Sequence, residues 1–207
     1  MTSSFADAMK ALPLVAILRG VKPAEVEAIG AALYGAGFRL IEVPLNSPEP
    51  FASIEKLARS LPADAVIGAG TVLTAEAARQ MKDAGGQIIV MPHCDPALIR
   101  AAKSSGLIAL PGVTTPSEAF AALAAGADAL KLFPAEMLPP PVVKALRAVL
   151  PLDVALLPVG GIAPQTMAAY RAAGANGFGL GSALYAPGYT AEQVAERARA
   201  FVSAWNE

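Results

Sequence analysis

Short apolar runs alternate with longer Ala-rich stretches along the chain. The runs fall at residues 14–18, 40–45, 65–68, 87–91, 107–110, 129–133, 154–159 and 177–180. They are bounded or broken by Gly, Pro or a charge, as strands buried on both faces are. Helix-like segments lie between them at 23–34, 48–60, 74–84, 96–104, 116–124, 140–150, 164–172 and 191–205. Several open with Pro, whose missing N–H costs nothing in a first helical turn. Many close on a glycine suited to a left-handed cap, namely Gly35, Gly85, Gly106, Gly126 and Gly174.

Eight strand–helix alternations predict an α/β protein with a parallel sheet and right-handed crossovers. Closure into a (β/α)8 TIM barrel fits the count of eight; an open doubly wound sheet is the alternative. Residues 3–11 read as an extra N-terminal helix capping the lower end of the barrel. No linker, low-complexity tract or charge block divides the chain, so residues 1–207 are expected to form one domain.

Composition narrows the function classes. The chain is 55% hydrophobic and 16% charged, with a formal net charge of −1. That gives no clustered basic face for nucleic acid. No apolar stretch approaches the roughly 20 residues that span a bilayer, so neither nucleic acid nor membrane is expected as a partner. The start, MTSSFADAMKALP, lacks a basic n-region followed by an apolar h-region, and a cytoplasmic location is the expectation. One cysteine and one histidine leave no intrachain disulfide and no conventional multi-ligand metal site. The surplus of apolar residues hints at surface buried in an oligomer.

In a barrel, chemistry collects where the strands end at their C-terminal face. The polar or special residues at those positions are Arg19, Glu42, Thr71, Pro92–His93, the stretch 111–114, Lys131, Gly160–Gly161 and Gly181–Ser182. Lys131, in ADALKLFPAE, is a lone cation in an apolar strand. Burial lowers an ammonium pKa and supplies the free amine that forms an imine with a ketone. The same pattern also suits a strand-end lysine snorkelling into water. Glu42, in RLIEVPLNSP, is a carboxylate among Leu, Ile and Val. Such a group is either ion-paired, with Arg19 or Lys131, or a proton carrier with a raised pKa. Arg19 ends the first strand with a guanidinium fork that fits a carboxylate, or is simply a solvated loop residue.

PVGGI at 158–162 and GLGS at 179–182 follow strands seven and eight. Barrels frequently bind phosphate there through the N–H groups of Gly-rich turns. His93 and Cys94 have no partner pattern that marks a base or nucleophile. No dinucleotide fingerprint or P-loop is present, because Gly68–Ala69–Gly70 lacks a third glycine at the required spacing. No cofactor is expected.

Six stretches carry a resemblance: LPLVAILRG (12–20), IEVPLNSP (41–48), IGAGTVL (67–73), ALKLFPAE (129–136), PVGGI (158–162) and GLGSALY (179–185). Together they resemble the class I pyruvate aldolases that cleave 2-keto-3-deoxy-6-phosphosugar acids. The resemblance implies a homotrimer of (β/α)8 barrels with no metal, acting on a small phosphorylated 2-keto-3-deoxy sugar acid. It implies Lys131 as the Schiff-base lysine, Glu42 as the general acid/base, Thr71 and Arg19 as substrate contacts, and Gly161, Gly181 and Ser182 on the phosphate side. Family members acting on the gluconate epimer usually carry Arg where this chain has Asn46; EVPLNSP is the form associated with the galactonate enzymes. Pro92–His93 departs from the family's Pro–Asn and leaves His93 without a role. An isomerase or transferase on another phosphorylated substrate is the rival reading, because this fold hosts many activities. A binding protein on a decayed barrel is a second rival, against which the intact surroundings of Lys131 and Glu42 argue.

Overall fold

A computed structural model describes residues 5–207. Nine parallel strands form two sheets. The larger contains β1 (Leu14–Ile17), β2 (Leu40–Pro44), β3 (Val66–Gly70), β4 (Ile88–Val90), β5 (Ile108–Leu110) and β9 (Phe178–Leu180), in the order β5-β4-β3-β2-β1-β9. The smaller runs β6 (Gly112–Val113), β7 (Leu130–Leu132), β8 (Leu156–Pro158). An isolated parallel bridge between Val159 and Gly179 joins β8 to β9, and only Pro111 separates β5 from β6. The result is a curled parallel sheet.

The strand absent from the expected eight is β6. Proline has no N–H to give to a ladder, so the fifth run stops at Leu110 and pairing resumes after Pro111. The Pro111 carbonyl still accepts from Lys131 N at 2.9 Å. Gly112 continues the path because a Cβ there would sit 2.6 Å from the Pro92 carbonyl carbon.

Strand residues alternate between two cores. Val15, Leu40, Val66, Ile88, Val90, Leu110, Ala129 and Leu157 face inward and pack with Ala8 of helix α1 (Phe5–Ala11). Their neighbours, including Leu14, Ala16, Ile41, Val43, Ile67, Ile89 and Leu130, face outward into the larger core beneath the helices. Both faces of every long strand are therefore buried, which explains the unbroken apolar runs. Residues 3 and 4 of the expected leading helix lie outside the described residues.

The remaining helices are α2 (Val26–Gly35), α3 (Pro50–Ser60), α4 (Ala75–Asp83), α5 (Pro96–Ser104), α6 (Pro116–Ala124), α7 (Pro140–Arg147), α8 (Pro164–Ala172) and α9 (Ala191–Asn206). The starts of α4, α5, α6 and α9 are fixed by side chains that satisfy orphan N–H groups. Thr74 Oγ accepts from Ala77 N, Asp95 from Ala97 N and Leu98 N, and Thr115 with Glu118 forms a reciprocal capping box. Helix α2 departs from expectation at both ends. Residues 23–25 are turn rather than helix, and the left-handed position after it is Gly37 (φ 112°), not Gly35.

Candidate active site

Glu42 on β2 and Lys131 on β7 occupy the inward face of strands that are not adjacent, and they meet across the interior of the curled sheet. In-register pairing places Glu42 opposite Ile17 and Gly68, and Lys131 opposite Gly112 and Leu157. Glu42 is only 2% exposed and Lys131 only 6% exposed. Both line one small cavity, walled by Val90, Leu110, Leu157 and Val159 among others. Neither belongs to a salt bridge among the described residues. The Oε2 atom of Glu42 is buried without a hydrogen-bond partner. Lys131 is therefore no snorkelling surface lysine, and Glu42 is no half of a structural ion pair.

Their protonation follows from the surroundings. Burial pushes the Glu42 carboxyl up from its ordinary 4.5 to about 7, against the opposing pull of Lys131 and Arg19. Burial lowers the Lys131 ammonium, assisted by Arg19 and opposed by Glu42. Each group is displaced toward the neutral form. The Nζ atom of Lys131 lies 4.3 Å from the centroid of the Phe133 ring. Phe133 sits two residues on, and that strand spacing was the sequence signal that could have identified it. Gly70 makes room for the acid: a Cβ there would collide with the Glu42 carboxylate.

Beside this cavity, and sharing Ile17 and Val159 with it, opens a larger one of about 590 Å³. Arg19, Gly161, Gly181 and Ser182 all line it. The two glycine turns thus face one space, with Gly160 and Gly161 both at positive φ (114° and 63°). Glu136, on a 3-10 turn at Ala135–Met137, also lines the space, and a Cβ at Gly160 would collide with its carboxylate. Sequence reasoning gave Glu136 no role, and it likewise missed Tyr185, whose buried ring forms part of the wall.

Thr71 is the one expected contact that the structure sets apart. It lies in a separate shallow pocket with Leu45 and Asn46. The two pockets are linked, because Arg19 donates from a terminal guanidinium nitrogen to Asn46 Oδ1 at 2.7 Å. Thr71 has φ 55°, a strained value for a β-branched residue. Such strain is found most often at functional sites.

The other candidates recede. His93 is exposed. Burial pushes the Cys94 thiol up, aided by Glu118 and Asp95, and its Sγ donates to the Glu118 carbonyl at 3.4 Å; this is the opposite of an activated thiolate. Trp205 packs edge-on against Phe178 and carries Arg171 on its face. Among the described residues no group of three or more His, Cys, Asp or Glu is placed to hold a metal ion, and no helix is long and apolar enough to cross a membrane.

A buried amine and a buried acid share one cavity beside a larger Gly-lined one, an arrangement suited to imine chemistry on a carbonyl substrate. Residues 5–198 match the family described as KDPG and KHG aldolase, and the chain belongs to that family of aldolases. Among curated proteins it is 50% identical to a probable 2-dehydro-3-deoxy-6-phosphogalactonate aldolase of Rhizobium meliloti (strain 1021), over 94% of this chain and 92% of the relative. It is 46% identical to the 2-dehydro-3-deoxy-6-phosphogalactonate aldolase of Escherichia coli (strain K12), over 95% and 96% of the two chains. Among solved structures, a native KDPGal structure superposes with a TM-score of 0.93 at 44% identity, covering 100% of this chain and 98% of that one. KDPG aldolase from Legionella pneumophila, with pyruvate captured as a covalent carbinolamine, superposes at 0.83 with 27% identity, over 94% and 96% of the chains.

Proposed function

We propose that this aldolase cleaves 2-dehydro-3-deoxy-6-phosphogalactonate to pyruvate and glyceraldehyde 3-phosphate through an imine on Lys131. The observation that carries the reading is the buried, unbridged Lys131–Glu42 pair with both groups displaced toward neutrality. The neutral Nζ attacks the C2 carbonyl, and uptake of one proton from solvent with loss of water leaves an iminium. Glu42, as carboxylate, takes the C4 hydroxyl proton. The C3–C4 bond then breaks with its electron pair passing into the iminium, which becomes an enamine as the aldehyde departs. Protonated Glu42 returns the proton to C3, and hydrolysis of the iminium releases pyruvate.

Arg19 holds the acid end of the substrate, since its guanidinium reaches the larger cavity and its charge is felt at both Glu42 and Lys131. Gly161, Gly181 and Ser182 receive the phosphate with backbone N–H groups. Thr71 contacts the substrate from the Asn46 side. The galactonate epimer is favoured by EVPLNSP, with Asn46 where gluconate enzymes carry Arg, and by the names of the two relatives above.

The same reading includes closure of the curled sheet into a single (β/α)8 barrel domain, supported by the Val159–Gly179 bridge and the short Pro111 gap. It includes α1 as the cap at the lower end, through Ala8 in the inner core. A homotrimer acting without a metal follows from the family resemblance, and a cytoplasmic location with no cofactor remains the expectation. A coupled pyruvate-release assay with the galactonate and gluconate substrates side by side tests the reaction and the epimer. Release at least about tenfold more efficient (kcat/KM) from the galactonate compound is expected; equal or reversed efficiency overturns the epimer, and release from neither overturns the reaction.

A further inference from the structure

Tyr185 and Glu25 are 160 positions apart in the chain, yet the Tyr185 hydroxyl donates to Glu25 Oε1 at 2.9 Å. The ring is 2% exposed and lines the larger cavity. Burial and the neighbouring Glu25 carboxylate push the phenol well above its ordinary pKa, so it remains a donor across the working range. Tyr185 is tied to one wall: its N–H and that of Leu184 both donate to the Gly181 carbonyl, at 3.0 and 2.9 Å. Glu25 is tied to the adjacent wall, after the neighbouring strand β1: its Oε1 also accepts from Lys22 N at 3.2 Å, in the loop that leaves Arg19.

A second contact joins the same walls. Gly20 is left-handed (φ 83°), and a Cβ on it would lie 2.7 Å from Pro187 Cγ. On its far side, Gly20 N donates to the buried Ser47 hydroxyl at 2.9 Å. The loop carrying Arg19 is thus held between the second strand's end and the turn carrying Gly181 and Ser182.

We infer that Tyr185 and Glu25 are a pair of positioning residues that set the width of the phosphate end of the cavity, between the Arg19 loop and the Gly181–Ser182 turn. This rests on the function proposed above, because it assigns that end of the cavity to the substrate phosphate. Neither side chain carries a reacting proton. Their hydrogen bond holds the backbone donors at the spacing a tetrahedral anion needs, and small displacements of such donors weaken binding without touching the imine chemistry at Lys131.

The test compares Tyr185→Phe, Glu25→Ala, Glu25→Gln and the double variant Tyr185→Phe/Glu25→Ala with the wild type. Tyr185→Phe removes one oxygen and leaves the ring packed, so the fold is retained. Both Tyr185→Phe and Glu25→Ala are expected to raise KM for the phosphorylated substrate about three- to tenfold, with a parallel rise in the inhibition constant of inorganic phosphate. Expected kcat stays within about twofold. Borohydride trapping of pyruvate on Lys131 is expected to proceed at the wild-type rate. Glu25→Gln keeps an acceptor oxygen and should behave as wild type. The double variant should be no worse than Glu25→Ala alone, because Tyr185→Phe removes a bond which that variant already lacks.

Unchanged KM and phosphate inhibition in Tyr185→Phe overturn the inference, as do additive losses in the double variant or a matching loss of pyruvate trapping. A wild-type enzyme that neither cleaves the phosphorylated acid nor responds to phosphate overturns the proposed function instead.

Discussion

At the residue scale the account turns on two charges placed where charges are expensive. An unpaired carboxylate in an apolar cavity survives by accepting a proton, and an ammonium there survives by losing one. Glu42→Gln keeps the shape but removes the proton carrier, and kcat is expected to fall about 10²- to 10⁴-fold. In the wild type, kcat/KM should climb as pH rises through about 7, where Glu42 becomes the carboxylate that accepts the C4 proton. Glu42→Gln should abolish that rising limb, because the group whose ionisation produces it is gone. The stability effect has its own sign. The folded protein binds the Glu42 proton more tightly than the unfolded chain does, so the cost of ionising it is absent below about 4.5 and fully present above about 7. Urea titrations should show the wild type losing stability relative to Glu42→Gln across that interval; a parallel pH dependence in the two proteins would contradict the buried acid. Both residues were legible in the sequence as lone charges in apolar runs. Whether they paired with each other was not, because pairing depends on distances across the sheet.

At the element scale, strand ends do the positioning. Gly70 closes β3 where a Cβ would strike the Glu42 carboxylate. Gly70→Ala should displace that acid, costing about 1–3 kcal/mol of stability and more than tenfold in kcat, by thermal unfolding and steady-state rates. One residue later, Thr71 holds φ 55°. Thr71→Gly should relieve strain of about 1 kcal/mol or more while raising KM, and a drop in both stability and KM would refute a strained contact residue. Helix starts at Pro96, Pro116, Pro164 and Ala191 could be read from Pro and capping residues because those signals act locally. The late start of α2 and the β5–β6 interruption could not, since both depend on contacts elsewhere: the turn at 23–25 packs its Glu25 against Tyr185, and Gly112 against Pro92. The role of Gly70 was hidden for the same reason. A glycine in a strand announces a close approach but not its partner.

At the scale of the whole molecule, the alternation of inner and outer faces builds two cores at once and brings Glu42 and Lys131 into one cavity. Val15, Leu40, Val66 and Ala129 fill the lower interior, while Glu42 and Lys131 sit above them beside the larger cavity. Activities on this architecture differ by what those strand ends carry. Arg19, Gly161, Gly181 and Ser182 were legible as one cluster once eight strands were counted; Thr71 was expected among them, yet lies across Asn46 from the rest. For the proposed homotrimer, sedimentation should give a species of three times the chain mass rather than a monomer. The most direct test of the central claim is sodium borohydride reduction in the presence of pyruvate, followed by peptide mass spectrometry. A reduced pyruvyl adduct is expected on Lys131, absent from Lys131→Ala, which should also lose cleavage to background. An adduct on another lysine, or none in the wild type, would contradict the imine at the centre of this account.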